Sequence, residues 1–117
     1  MATVLVVEDE ALVRLGAVLI VEEAGFEVVE AANADQAIAI LEARSDIHLV
    51  FTDIDMPGSM DGLKLVHYIR NRWPPIHLVV ASGKEIVRES ALPEGARFFA
   101  KPYRDHDIAS ALQRMLT

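Results

Sequence analysis

The chain alternates between short apolar runs closed by polar or turn-forming positions and longer stretches with apolar residues at helical spacing. Five runs read as strands, over residues 3–7, 26–31, 48–53, 76–81 and 96–100. The third has no polar alternation over residues 49–51, so both its faces are covered, as in a parallel sheet between helices. Helical patterns fill residues 11–24, 34–43, 63–72, 85–91 and 105–116. Gly25 suits the left-handed position past the first helix, Asn33 is the expected N-cap of the second, and Pro74-Pro75 stop the third. The fourth has room for only about two turns before Leu92-Pro93-Glu94-Gly95 ends it.

Five strands, each followed by a helix, require right-handed crossovers and lead to an α/β fold with a doubly wound, five-stranded parallel sheet. The flavodoxin-like order 2-1-3-4-5 fits this length, with a shortened fourth helix. The first and last helices are expected on one face and the other three on the opposite face. In the first helix, Val13, Gly16, Ala17, Ile20 and Ala24 share a face that is expected to meet the sheet. Leu15, Val18 and Leu19 are expected to point outward beside Arg14 and Glu22, an apolar patch suited to a protein contact.

Composition narrows the picture. With 117 residues, 52% of them hydrophobic, and no linker, repeat or low-complexity segment, the expectation is one domain over 1–117 with no output domain. Cysteine is absent, which excludes disulfides and thiolate chemistry. The start carries no basic leader, and no apolar run approaches the ~18 residues of a membrane span, so a soluble cytoplasmic protein without membrane contact is expected. A formal net charge of −7 argues against direct nucleic-acid binding, which needs clustered Lys and Arg.

Candidate chemistry gathers where strands end. Glu8 and Asp9 follow the first strand, Asp53 and Asp55 the third, Ser82 the fourth and Lys101 the fifth. In open α/β sheets, ligands bind outside the carboxyl ends of strands, at the point where strand order reverses. The order 2-1-3-4-5 puts Glu8, Asp9 and Asp53 together at that point. Two carboxylates ~4 Å apart repel by roughly 4 kcal/mol at an effective dielectric of about 20, so three in one pocket call for a cation or a raised pKa. Mg²⁺ is the simplest remedy, and Lys101 and Ser82 add a fixed positive charge and a hydroxyl. The four histidines flank strands or lie on and beside helices and offer no alternative centre.

These motifs resemble, over the whole chain, the receiver domain of two-component response regulators. They are Val6-Val7-Glu8-Asp9-Glu10, Asp53-Ile54-Asp55-Met56-Pro57, Asp61-Gly62-Leu63 and Lys101-Pro102. The resemblance implies a protein that is not an enzyme beyond self-phosphorylation and slow autodephosphorylation. Asp53 would take a phosphoryl group from a phosphohistidine on a histidine kinase or histidine phosphotransfer protein. Asp9 would ligate Mg²⁺ directly, Glu8 through water and Asp55 through its backbone carbonyl. Lys101 would pair with the carboxylate and then the phosphate, Ser82 would turn toward the phosphate, and Phe98 holds the place of the switch aromatic. A cis Lys101-Pro102 peptide is implied as well.

Several features depart from the family pattern. The hydroxyl position falls on Ala81 or Ser82, of which Ser82 carries the group. The loop over residues 57–62 is one residue longer than the commonest form, residues 84–95 are short for a full helix and loop, and Phe98 has no hydroxyl. A homodimer through the first helix is an alternative use of its apolar face. Two rival functions share the residues: a metal-dependent phosphatase or nuclease built on Asp53-Ile54-Asp55, and a non-phosphorylated adaptor. In the phosphatases that motif follows the first strand of a longer chain, the nucleases need a basic surface, and an adaptor would be favoured by loss of Asp53 or Lys101.

Overall fold

The computed structural model describes the whole chain except residues 57–59 and 85–86 and the side chain of Glu89. Its strands are β1 (Thr3–Val7), β2 (Glu27–Ala31), β3 (Ile47–Asp53), β4 (His77–Ser82) and β5 (Arg97–Ala100). They form one parallel sheet in the order β2-β1-β3-β4-β5, as expected. The α-helices are α1 (Ala11–Glu23), α2 (Ala34–Ala43), α3 (Gly62–Arg72) and α4 (Asp105–Leu116). Among the described residues no helix is long and apolar enough to cross a membrane.

Sheet and helices enclose two cores. Leu5, Val7, Val50, Leu78 and Val80 face α2 and α3, packing on Ala37, Leu41, Leu65, Val66 and Ile69. Val4, Val6, Leu49, Phe51 and Val79 face α1 and α4, packing on Ala17, Val21, Ile108 and Leu112. The central strands are therefore largely apolar on both faces, and four of the five buried polar or charged side chains among the described residues, Glu8, Thr52, Asp53 and Ser82, lie at the carboxyl edge of the sheet.

Two expectations need correction. The helix predicted over residues 85–91 is absent where it can be described: Val87 and Arg88 have no helical structure, and Glu89–Ala91 form a single 3₁₀ turn. Residues 85–86 and the loop-length reading over 57–59 lie outside the described residues. So short a segment, stopped by Pro93, gains too few bonds to offset helix nucleation. It is anchored instead by Val87 and Leu92, both buried in the α2 and α3 core. The buried face of α1 is also rotated from the expected one, because Ala17, Val18, Ile20 and Val21 are inside whereas Gly16 is exposed. Turning Val18 and Val21 inward removes more apolar surface from water than burying Gly16 would. Leu12, Leu15 and Leu19, 84%, 51% and 48% exposed, are left on the outer face.

Local sequence accounts for the helix starts that position the strand ends. Asn33 caps α2 by accepting from the Gln36 amide at 2.8 Å, and Gln36 Oε1 reaches back to the Ala32 amide at 2.8 Å. Asp61 caps α3 through the Lys64 amide at 2.9 Å. Gly62 opens α3 so close to β3 that a Cβ there would lie 2.1 Å from the Asp53 carbonyl oxygen. Only glycine permits that approach. Gly25 ends α1 at φ +99°, as the sequence implied.

The two helical glycines should respond oppositely to alanine. Gly16→Ala, with no neighbour within 4 Å of the added carbon, should gain about 0.5–1 kcal/mol in urea unfolding. Gly62→Ala should lose about 1–3 kcal/mol by displacing α3 from Asp53. A stable Gly62→Ala protein would contradict this packing.

Candidate functional site

β3 is the middle strand, hydrogen-bonded on both sides, so the acid at its end has little freedom. Asp53 is opposite Ala81 in the β3–β4 ladder, and the Ile54 amide continues the pairing onto the Ala81 carbonyl at 2.9 Å. Glu8 is fixed by its backbone: its amide donates to the Ala31 carbonyl at 3.1 Å, and its carbonyl accepts from Arg14 at 2.9 Å. Arg14 is itself held by Glu30 at 3.0 Å. The Lys101 amide donates to the Ser82 carbonyl at 2.9 Å, and the Lys101–Pro102 peptide is cis.

These anchors bring one ammonium between two buried acids. Lys101 Nζ lies 3.0 Å from Glu8 Oε1 and 3.2 Å from Asp53 Oδ1, while Glu8 and Asp53 are 4% and 6% exposed. The ammonium is aligned on Glu8, so Asp53 Oδ1, sealed from solvent, accepts no well-aligned hydrogen bond. Carboxylate oxygens of Glu8, Asp9 and Asp53 lie within 4.8 Å of one another. Burial pushes the Asp53 carboxyl above its ordinary pKa against the pull of Lys101, and burial likewise raises Glu8. Burial opposes the charge on Lys101 too, but Glu8 and Asp53 outweigh it and raise that pKa.

Glu8, Asp53 and Lys101 line a void of about 10 Å³ whose remaining wall includes Val6, Phe51, Ala81 and Tyr103. The apolar part of its wall keeps these charges in a low-dielectric setting. Above them, an open cleft of about 480 Å³ is lined by Asp9, Asp55, Asp61 and Lys84. The residues suit a small hard dication: the donors are all oxygens, and three carboxylates face one lysine. An unsatisfied Asp53 oxygen is already in place.

Not every predicted residue joins the cluster. The Asp55 carboxylate turns away, accepting from the Ser82 hydroxyl at 2.9 Å and the Gly83 amide at 3.2 Å. The two acids of Asp53-Ile54-Asp55 thus do not converge, which weakens the phosphatase or nuclease reading. Of the two alternatives for the hydroxyl position, Ala81 lines the void, and Ser82, the last residue of β4, is buried. Phe98 is half-buried against the α2 and α3 core, opposite Val80.

Sequence reasoning missed three contributors. Arg14 is the lone base in an otherwise apolar stretch of α1, and that isolation was the available clue. Gly62 appeared only as part of a motif, since its proximity to β3 is tertiary. Tyr103 closes the void with its ring centroid 5.9 Å from that of Phe51, and nothing in its loop position marked it.

Comparison with known proteins agrees with this geometry. The response regulator receiver domain family matches residues 4–113, and the chain belongs to that family. It is therefore a receiver domain, the phosphoacceptor module of two-component signalling. It is 36% identical to the sensor kinase CckA of Brucella abortus, covering 98% of this chain and 12% of that protein. It is 33% identical to a putative NtrX-like response regulator of Rickettsia bellii, covering 95% of this chain and 24% of that protein. The chain thus spans less than a quarter of the length of these relatives. Among solved structures, a response regulator receiver protein from Sinorhizobium medicae superposes with a TM-score of 0.90 at 25% identity, covering 98% and 94% of the two chains. NtrX from Brucella abortus gives 0.86 at 34% identity, covering 98% of this chain and 27% of that one. Receiver domains bind Mg²⁺ at an acidic pocket, and Glu8, Asp9 and Asp53 form such a pocket here.

The raised carboxyls fix the sign of a pH effect. Because folding raises the pKa of Glu8 and Asp53, their contribution to stability is complete below the ordinary carboxyl range and is lost as pH rises through the folded values. In metal-free buffer Asp53→Asn should melt above the parent near pH 7, by roughly 4 °C for each kcal/mol relieved, and converge with it near pH 4. Equal melting temperatures near neutral pH would contradict the burial argument.

Proposed function

We propose that Asp53 is the phosphoacceptor of this receiver domain. The observation that carries the reading is its buried Oδ1, which has no well-aligned donor although it lies beside the Lys101 ammonium and within reach of the Glu8 and Asp9 carboxylates. A carboxylate oxygen attacks the phosphorus of a phosphohistidine, the P–O bond forms as the P–N bond breaks, and the imidazole leaves with the electron pair. The incoming group brings about −1.5 to −2 charges into the pocket. Lys101 shifts from Glu8 toward the new phosphoryl oxygens, and the Ser82 hydroxyl supplies a neutral donor. The carboxylates of Asp9 and Asp53, the Asp55 carbonyl and Glu8 through water would hold Mg²⁺, which would supply positive charge against the remaining negative charge. Water entering from the cleft hydrolyses the acyl phosphate slowly. Movement of Ser82, with Phe98 packing deeper beside Val80, carries the signal outward.

The donor is a histidine kinase or a histidine phosphotransfer protein, in keeping with the kinase and regulator relatives. It docks on α1, where Leu12, Leu15 and Leu19 form an exposed stripe and Gly16 lets a partner backbone come close. Exposed Glu22, Glu23 and Asp105 rim this face, so a partner with basic flanks fits better than a second copy of this acidic chain.

Intact-mass measurement with acetyl phosphate and Mg²⁺ tests the acceptor. The parent should gain one phosphoryl group and Asp53→Asn none, whereas Lys101→Ala should keep partial labelling but lose the conformational response. Full labelling of Asp53→Asn would overturn the assignment. Leu15→Glu combined with Leu19→Lys should leave acetyl-phosphate labelling intact and slow transfer from the cognate histidine protein by about tenfold or more. Unchanged transfer would remove α1 as the docking face, and a change only in oligomeric state would point to a homodimer.

A further inference from the structure

The Ser82 hydroxyl has a partner that competes with its signalling role. Its proton is directed to Asp55 Oδ2 at 2.9 Å, and the Gly83 amide adds a second bond to the same oxygen at 3.2 Å. Ser82 Oγ accepts in turn from the Lys84 amide at 3.3 Å. Asp55 thus ties the loop after β3 to the turn after β4, and Ser82 is 1% exposed while doing so. A hydroxyl has one proton. It can serve the Asp55 carboxylate or a phosphoryl group on Asp53, but not both.

Resting on the reading of Asp53 as acceptor, we propose that the Asp55 side chain is a latch that holds the Ser82 hydroxyl off the phosphoacceptor and sets how readily phosphorylation turns the switch. Hydrogen bonds to a charged acceptor are about twice as strong as neutral ones, so the latched arrangement is the favoured one while Asp53 is unmodified. A phosphoryl group two residues away changes the balance in two ways. It offers competing anionic acceptors to Ser82, and by like-charge repulsion it weakens the hold of Asp55. Release frees the Gly83 and Lys84 amides from their present partners together with the hydroxyl, so the β4 turn and the switch respond as one unit. Asp55 is in this sense a positioning residue acting through Ser82, separate from any use of its backbone carbonyl. An asparagine or alanine at this position would leave the hydroxyl freer and lower the threshold.

A double-mutant cycle separates the latch from a general charge effect. Fluoroberyllate, a tetrahedral mimic of the acyl phosphate, is titrated in saturating Mg²⁺ against the parent, Asp55→Ala, Ser82→Ala and the double variant. Binding is followed by the amide resonances of Gly83 and Lys84. Both resonances should move on binding in the parent, and Asp55→Ala should bind about tenfold more tightly, the scale of one charge-assisted hydrogen bond. In the Ser82→Ala background the same substitution should yield only the smaller gain owed to removing a negative charge. Asp55→Asn, which keeps the volume of the side chain, carries the same cycle if the alanine variant does not fold. Equal gains in both backgrounds, or weaker binding by Asp55→Ala, would overturn the latch while leaving Asp53 as acceptor. No fluoroberyllate binding by the parent would instead remove the acceptor reading and the latch with it.

Discussion

One ammonium among three carboxylates is the constraint on which the carboxyl edge of this sheet depends. Lys101 is 3.0 Å from Glu8 and 3.2 Å from Asp53, yet it cannot neutralise both, and Asp9 adds a third acid within reach. Such an arrangement costs stability unless something holds it in place. The holding is done largely by backbone: Asp53 pairs with Ala81 of β4 and follows Thr52, which pairs with Val7 of β1, while Arg14 fixes the Glu8 carbonyl and the Lys101 amide is bonded to β4. The rigid parallel core thereby supports an edge poised to accept positive charge and, with it, a phosphoryl group.

The same geometry explains why the chain can be a switch without elaborate machinery. The groups that would respond to a phosphoryl on Asp53 lie on different strands, with Lys101 after β5, Ser82 ending β4 and Asp55 after β3. Each already has a partner that a phosphoryl group would outbid. On the proposed reading, changing those partners would couple the pocket to the turn after β4 and to Phe98 on β5. The segment after β4, carrying a 3₁₀ turn rather than a helix, is pinned to the core by Val87 and Leu92. It also bonds to α3 where the Ala91 carbonyl meets His67 at 2.8 Å.

Much of this was legible in the sequence because the two strongest patterns, apolar runs and acids at their ends, are local. β3 could be recognised as central from Leu49-Val50-Phe51 alone, and the meeting of Glu8, Asp9 and Asp53 followed from strand order. What stayed hidden depends on tertiary contact. The orientation of α1 was misjudged because nearly every position in it is apolar or small, so helical spacing did not single out one face, and Val18 rather than Gly16 turned inward. The segment over residues 85–91 has helix-compatible composition, yet burial of Val87 and Leu92 decides its course. The engagement of Ser82 by Asp55 could not be read at all, since it joins residues 27 apart through a side-chain hydrogen bond.

The central claim is that the crowded acids form a dication site completed by the acceptor. Calorimetric titration of Mg²⁺ into the metal-free protein tests it most directly. The account predicts a single saturable site in the parent protein and loss of that binding in Asp9→Ala. A parent protein that shows no saturable Mg²⁺ binding, or an Asp9→Ala variant that binds as the parent does, would contradict it.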